Sequence, residues 1–284
     1  MSKKLNFVFW GTPEVASETL EILKQAGLWP ALIVTSPDAK KGRGWRLQAS
    51  PVALFAEKNN IPCFKPEKLD EEFTLKLSIF NFQLFIVVAY GKIIPENLLN
   101  KPKFGSINVH YSLLPKYRGA SPVESAILNG ETETGVTIQQ MEFKMDSGPI
   151  IAQEKTNISE NEKTPDLRRR LIKIGGKLLI KTLPRLINKK IKMATQNENE
   201  ATYCKKIKKE DGLVNLETES PNVLYNKFRA YAFWPRIFFF KNNKRIIITK
   251  ARLEDDKFII EKIIPENGKE TDYKKYKARP CTNH

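Results

Sequence analysis

The sequence predicts an α/β fold, an open and mostly parallel sheet with helices on both faces, followed by a small β-rich domain. Three observations predict it. Short apolar runs alternate with stretches of helical periodicity through the first part of the chain. One run, Leu84-Phe85-Ile86-Val87-Val88-Ala89, is apolar without a break, as a central parallel strand covered on both faces must be. After Lys205 the helical spacing gives way to short β runs rich in Ile and Phe.

Leu5 to Trp10 reads as a buried strand ending at Gly11. Thr12-Pro13-Glu14 reads as a helix start, with Thr12 as the cap and Pro13 in the first turn, where its missing N–H costs nothing. Val15, Thr19, Leu20, Ile22 and Leu23 give that helix an apolar face, and Ala31 to Thr35 completes a right-handed βαβ unit. Residues 36–47 carry four cations and two glycines without apolar periodicity, which predicts a flexible basic loop. Helices follow over 50–59, capped by Ser50, and over 69–78, with strands over 61–64, 84–89 and 104–109. A helix over 122–129 precedes strands over 134–140 and 150–156. From Thr164 to Lys192, Leu167, Leu171, Ile174, Leu178, Leu179, Leu183 and Leu186 fall at helical spacing, and Pro184 kinks or ends the helix. Residues 193–205 are polar and unpatterned, which predicts a linker. Strands are expected over 237–240, 245–249 and 258–263. The domain reading is therefore 1–192, a linker over 193–205, and a second domain over 206–284.

Composition narrows the function classes. Of 284 residues, 41% are hydrophobic, enough for a real core, yet no apolar run approaches the roughly 18 residues of a membrane span. The first residues lack the apolar stretch of a secretory signal, and the expectation is a soluble, cytoplasmic protein without a membrane partner. Cys63, Cys204 and Cys281 are too few and too scattered for a disulfide framework or a zinc motif. His110 and His284 alone cannot build an imidazole-rich metal site, although a carboxylate-rich one stays open on this count. The net charge of +16 favours a polyanionic partner, and residues 201–284 hold 19 Lys/Arg against 11 Asp/Glu, a net of +8. No glycine-rich phosphate motif follows any expected strand, which argues against dinucleotide dehydrogenases and P-loop NTPases.

The candidate chemistry lies elsewhere. Asn108 and His110 stand two apart at the end of an expected strand, so their side chains share a face. They also sit near the carboxyl end of a parallel strand, where open α/β sheets bind ligands. An amide donor suits a developing oxyanion, and an imidazole suits proton exchange with an amine. A structural pair is the competing explanation. Asp146, in the turn Lys144-Met145-Asp146-Ser147-Gly148-Pro149, can orient the imidazole or simply form an Asx-turn before Gly148.

The surrounding residues carry a resemblance. Gly105-Ser106-Ile107-Asn108-Val109-His110, Ser112-Leu113-Leu114-Pro115, Tyr117-Arg118-Gly119-Ala120 and Asp146-Ser147-Gly148-Pro149, in that order, resemble the signature of the folate-dependent formyltransferases. Further segments resemble the members of that family that act on charged tRNA. They are Phe9-Trp10-Gly11-Thr12-Pro13-Glu14, the basic stretch Pro37–Trp45, Ser50-Pro51-Val52, Ala201-Thr202-Tyr203, Ile207-Lys208-Lys209-Glu210-Asp211-Gly212, Arg229-Ala230-Tyr231 and Trp234-Pro235. The resemblance implies a Rossmann-like catalytic domain and an OB-like C-terminal β-barrel that binds tRNA. It implies Asn108, His110 and Asp146 as catalytic residues, and 10-formyltetrahydrofolate as a co-substrate; no metal is expected, because attack by an amine needs none. Ser112, Leu113, Leu114 and Pro115 would border the folate, together with Val88, Ala89 and Tyr90. The acceptor would be a methionyl initiator tRNA, approached by a loop carrying Lys40, Lys41 and Arg43, with the enzyme acting as a monomer. Tyr111 stands where the family usually has a small residue, so its ring either narrows the pocket or points away. Two other readings fit some of these residues. One keeps the chemistry but takes a small amine or a nucleotide amino-sugar as acceptor. The other is a non-enzymatic RNA-binding protein stacking bases on the aromatics of Phe228-Arg229 and Trp234-Pro235-Arg236.

Overall fold

The apolar runs of the sequence become the middle of one sheet. The structure, a computed structural model, describes residues 5–41 and 44–278. In chain order the elements are β1 (Phe7–Gly11), α1 (Glu14–Gln25), β2 (Leu32–Val34), β3 (Ala39–Lys41), β4 (Arg46–Gln48), α2 (Pro51–Lys58), β5 (Cys63–Phe64), α3 (Glu71–Ser78), β6 (Leu84–Val88), α4 (Glu96–Leu99) and β7 (Ser106–His110). They continue with β8 (Arg118–Gly119), α5 (Pro122–Leu128), β9 (Glu133–Gln140), β10 (Ile150–Asn157), α6 (Thr164–Ile187), β11 (Tyr203–Cys204), α7 (Pro221–Ala230), β12 (Phe238–Lys241), β13 (Lys244–Glu254), β14 (Lys257–Pro265), β15 (Thr271–Asp272) and α8 (Tyr273–Lys277). The chain forms two units. One comprises Met1–Arg118, Gly135–Thr156 and Arg169–Tyr203, the other Gly119–Thr134, Asn157–Arg168 and Cys204–His284. The second thus draws on two stretches of chain well before the residue 206 boundary expected from the sequence.

The first unit holds a seven-stranded sheet in the order β10-β9-β7-β6-β1-β2-β5. β1 pairs in parallel with β2 and β6, β6 with β7, and β2 with β5, whereas β7 and β9 are antiparallel. From β1 the chain moves outward to one side and returns to build the other, so the strand order reverses between β1 and β6. Crevices at such reversals, beyond the carboxyl ends of the strands, are where ligands bind. All five residues of β1 and of β6 are buried, as their unbroken apolar sequence requires. Trp10 anchors one face of the sheet, its ring edge-on to Phe73 at 5.9 Å and to Tyr90 at 5.1 Å. On another side α6 approaches α1 closely: a Cβ on Gly176 would lie 2.7 Å from Ile22 Cγ2.

Three expectations need correction. Thr12 does not cap α1; Pro13 holds that position, and the Thr12 hydroxyl donates instead to the carbonyl of Tyr90 at 3.0 Å. The Thr12 side chain also meets Ser36 Oγ at 3.0 Å, which joins the turns after β1, β2 and β6. The basic stretch is not a plain loop, because β3 and β4 pair as an antiparallel hairpin in which Lys40 faces Leu47. Residues 193–205 are not a free linker. Ala194 exchanges backbone hydrogen bonds with Ile150, at 2.7 and 2.9 Å, and Gln196 is buried.

In the second unit α5 packs against α7, a helix that the sequence reading left unassigned. Ser220 caps α7 from its side chain and Pro221 fills the first turn. Arg168 and Glu124 form an ion pair beside it. β12 to β15 make a four-stranded antiparallel sheet in sequential order, with a parallel bridge from Leu213 to Phe238. Phe238 and Phe239 are core residues, whereas Phe240 is 57% exposed. Among the described residues no helix is long and apolar enough to cross a membrane.

Candidate active site

β7 carries the site at its carboxyl end. Alternation along the strand puts Ile107 and Val109 on one side and Asn108 and His110 on the other. His110 is 5% exposed, and its Nε2 lies 2.9 Å from the carbonyl of Tyr117. A carbonyl only accepts, so Nε2 carries the hydrogen and Nδ1 is the nitrogen left for proton exchange. That Nδ1 stands 3.6 Å from Asp146 Oδ2. The Asn108 amide lies 3.4 Å from the other carboxylate oxygen, Oδ1. This is long for a hydrogen bond, so the amide is only loosely committed. The three residues expected to act together therefore surround one small volume. Asp146 itself sits in the left-handed region, at φ +51.

Residues that the sequence reading did not single out hold this group in place. Across the antiparallel pair, Gln139 faces Asn108 and Thr137 faces His110. From there Gln139 Nε2 donates to Asp146 Oδ1 at 2.8 Å. Gln196 donates to the main-chain carbonyls of Asp146 at 2.9 Å and Gly148 at 2.7 Å. Arg118, fully buried, donates to Gln196 Oε1 through Nε and Nη2 and to both carboxylate oxygens of Glu198. Pairing strand against strand would have located Gln139, but nothing local marks Gln196, whose partners lie some fifty positions earlier in the chain.

The residues expected to border a folate lie at the end of β6 and in the segments that follow β6 and β7. Val88 and Tyr90 turn their side chains into the core, where burial pushes the Tyr90 phenol up to about 12, so only their backbone can meet a ligand. Ala89 is exposed at φ +48. Ser112 and Leu114 are buried, and Leu113 packs against Gly135. Thr137 ties the segment down, accepting from Leu114 N at 3.1 Å and donating to the Ser112 carbonyl at 2.6 Å; Gln153 donates to the Leu114 carbonyl. Leu114-Pro115 is a cis bond. Tyr111 points away from the site, its hydroxyl 3.4 Å from Thr19 of α1, and burial raises its pKa. A cavity of about 260 Å³ opens on Asp146 and is lined by Ile93, Ile94, Leu99, Met141, Phe143 and Met145, with Gln139 and Lys92 among its polar groups. An apolar slot with a few convergent polar groups suits a flat, ring-bearing ligand. Of the basic hairpin, Lys40 is exposed and so are Trp45, at 76%, and Leu47, at 68%; Arg43 lies outside the described residues.

Residues 3–183 match the formyl transferase family and residues 206–276 the formyl transferase C-terminal domain. The chain belongs to the formyl transferase family, a class of group-transfer enzymes. Within it, the chain is 40% identical over 252 residues to the methionyl-tRNA formyltransferase of Thermotoga neapolitana, and 42% identical over 254 residues to that of Buchnera aphidicola subsp. Schizaphis graminum. Each alignment covers 88% of this chain and 80% of the relative. Among solved structures, the N-formyltransferase of Helicobacter canadensis, in complex with folinic acid and dTDP-3-aminofucose, has a TM-score of 0.67 at 23% identity over 88% of both chains. The methionyl-tRNA formyltransferase of Clostridium thermocellum has a TM-score of 0.61 at 16% identity, over 92% of this chain and 98% of that one. At these identities the two structures establish a shared fold.

Proposed function

We propose that the protein moves the formyl group of 10-formyltetrahydrofolate to the α-amino group of methionyl-tRNA. The observation that carries the reading is the meeting of Asn108, His110 and Asp146 at the end of β7, in a chain about 40% identical to enzymes bearing that name. The amine is its own nucleophile, so the protein must hold the formyl carbon, receive charge on the formyl oxygen, take one proton from the attacking nitrogen and return one to N10 of the departing tetrahydrofolate as the carbon–N10 bond breaks. Asn108 Nδ2 is the donor for the oxygen, because its present contact to Asp146 is long enough to be exchanged for a stronger one. His110 Nδ1 and the Asp146 carboxylate share the proton, with Nε2 fixed on Tyr117 so that the ring cannot turn. The ring system of the donor fits the apolar slot lined by Ile93, Ile94, Leu99, Met141 and Phe143. Lys40 and the exposed Trp45 of the β3–β4 hairpin suit the acceptor end of a nucleic acid, where cations meet phosphates and an aromatic face meets a base.

An acceptor panel tests the proposal. With labelled 10-formyltetrahydrofolate, methionyl initiator tRNA should be formylated, whereas uncharged tRNA and an elongator tRNA should take little label. Label on a free amino-sugar nucleotide in the absence of tRNA would instead assign the chain to the small-acceptor reading.

A further inference from the structure

The segment whose composition predicts a linker holds a buried side chain whose oxygen and amide are both hydrogen-bonded beside the site. Gln196 is 6% exposed. Its carbonyl oxygen accepts from Arg118 Nε at 3.0 Å and Nη2 at 2.8 Å. Its amide donates to the carbonyls of Asp146 and Gly148 and reaches Gln139 Oε1 at 3.4 Å. Two residues on, Glu198 accepts from Arg118 Nη2 at 2.7 Å and from Lys144 Nζ at 2.8 Å. The loop 144–148 is therefore gripped at Lys144, at the main chain of Asp146, at the main chain of Gly148, and through Gln139 at the carboxylate of Asp146 itself. All four grips trace back to partners that Arg118 organises or that touch Gln196.

Two features make this more than packing. Asp146 sits in the left-handed backbone region, which Asp enters more readily than most L residues but which the turn must still hold in place. And a fully buried guanidinium is a poor way to gain stability, since apolar residues of similar volume often do as well or better, but it fixes geometry well. We propose that Gln196, braced by Arg118, is a positioning residue that sets where the Asp146 carboxylate stands relative to His110 Nδ1 and Asn108 Nδ2. The proposal rests on the catalytic reading of Asp146, and its test separates the two.

The test is a double-mutant cycle between Gln196→Met and Asp146→Asn, reading kcat and KM for both substrates, with Gln196→Glu as a second variant. The Glu variant keeps a partner for Arg118 but loses the amide that holds Asp146 and Gly148, so it decides the matter should the Met variant fail to fold. In the parent background either Gln196 variant should lower kcat by about tenfold or more while each KM moves less than about twofold. In the Asp146→Asn background the same change should lower kcat by less than about twofold, because the residue it positions is already disabled. Equal losses in both backgrounds, a rise in KM alone, or an unchanged kcat in the parent background would overturn the positioning role. If Asp146→Asn itself left kcat intact, the catalytic reading of Asp146 would fall and take this inference with it. If Asp146→Asn lowered kcat while both Gln196 variants left it unchanged, only the positioning role would fall.

Discussion

At Asp146 one loop carboxylate meets three side chains, Asn108 and His110 from β7 and Gln139 from β9, and the functional reading depends on that convergence. Its neighbours give single-residue tests. Tyr111 is turned towards α1 and away from the cavity. Tyr111→Phe removes one long hydrogen bond, so it should change unfolding free energy by no more than about 1.5 kcal/mol. It should also leave the KM for the folate donor unaltered in steady-state kinetics; a rise of more than about threefold would mean that the ring does border the donor. Glu198 offers a pH test. Hydrogen bonds from Arg118 and Lys144 hold its carboxyl down at about 2, against 4.5 for the free group. Because the folded value is the lower one, the stabilisation is present above about 4.5 and is lost as the pH falls towards 2. The effect is modest, since the side chain is 54% exposed and solvent screens it. Glu198→Gln should lower Tm near neutrality, and the gap to the parent should close on acidification in thermal melts. A gap that stays constant through that range would contradict the pairing.

Among the elements, the turn between β9 and β10 is tightly constrained. A Cβ on Gly148 would lie 1.9 Å from the carbonyl oxygen of Gln140, a backbone atom that cannot swing aside. Gly148→Ala should therefore cost about 1–3 kcal/mol in urea unfolding. It should also reduce kcat, because the displaced turn carries Asp146. A variant with the parent's stability and turnover would show that this turn does not fix the carboxylate. The same element shows what the sequence made legible. β6 and β7 could be read directly, because a strand buried on both faces has to be continuously apolar and because period two puts Asn108 and His110 side by side. Asp146 could be read from its place in an ordered motif. The β3–β4 hairpin could not, since its residues are charged and exposed and leave no apolar alternation to detect. Gln196 could not either. A glutamine in polar surroundings looks like linker until the fold brings Arg118 and Gly148, far away in sequence, onto its amide. The α7 helix was hidden for a different reason: its ten residues mix polar and aromatic side chains, and the β runs after it dominate the local pattern.

For the whole molecule the dominant property is charge, +16 in 284 residues. If a tRNA is the acceptor, binding must weaken steeply with salt, because each phosphate contact releases counterions. Lys40 lies on the exposed hairpin. Lys40→Ala should make the slope of log K against log salt shallower by about one, in filter-binding titrations over a range of KCl. An unchanged slope would remove the hairpin lysine from the tRNA contact. The account as a whole stands on Asn108, His110 and Asp146 working on one formyl carbon, and single-turnover formylation of methionyl-tRNA by folded Asp146→Asn and Asn108→Ala, with both substrates saturating, tests that most directly. Each variant should slow transfer by about 10²-fold or more, in line with loss of an oxyanion donor or of a positioned proton carrier. Rates within about threefold of the parent, in variants that melt as the parent does, would mean that the chemistry happens without them.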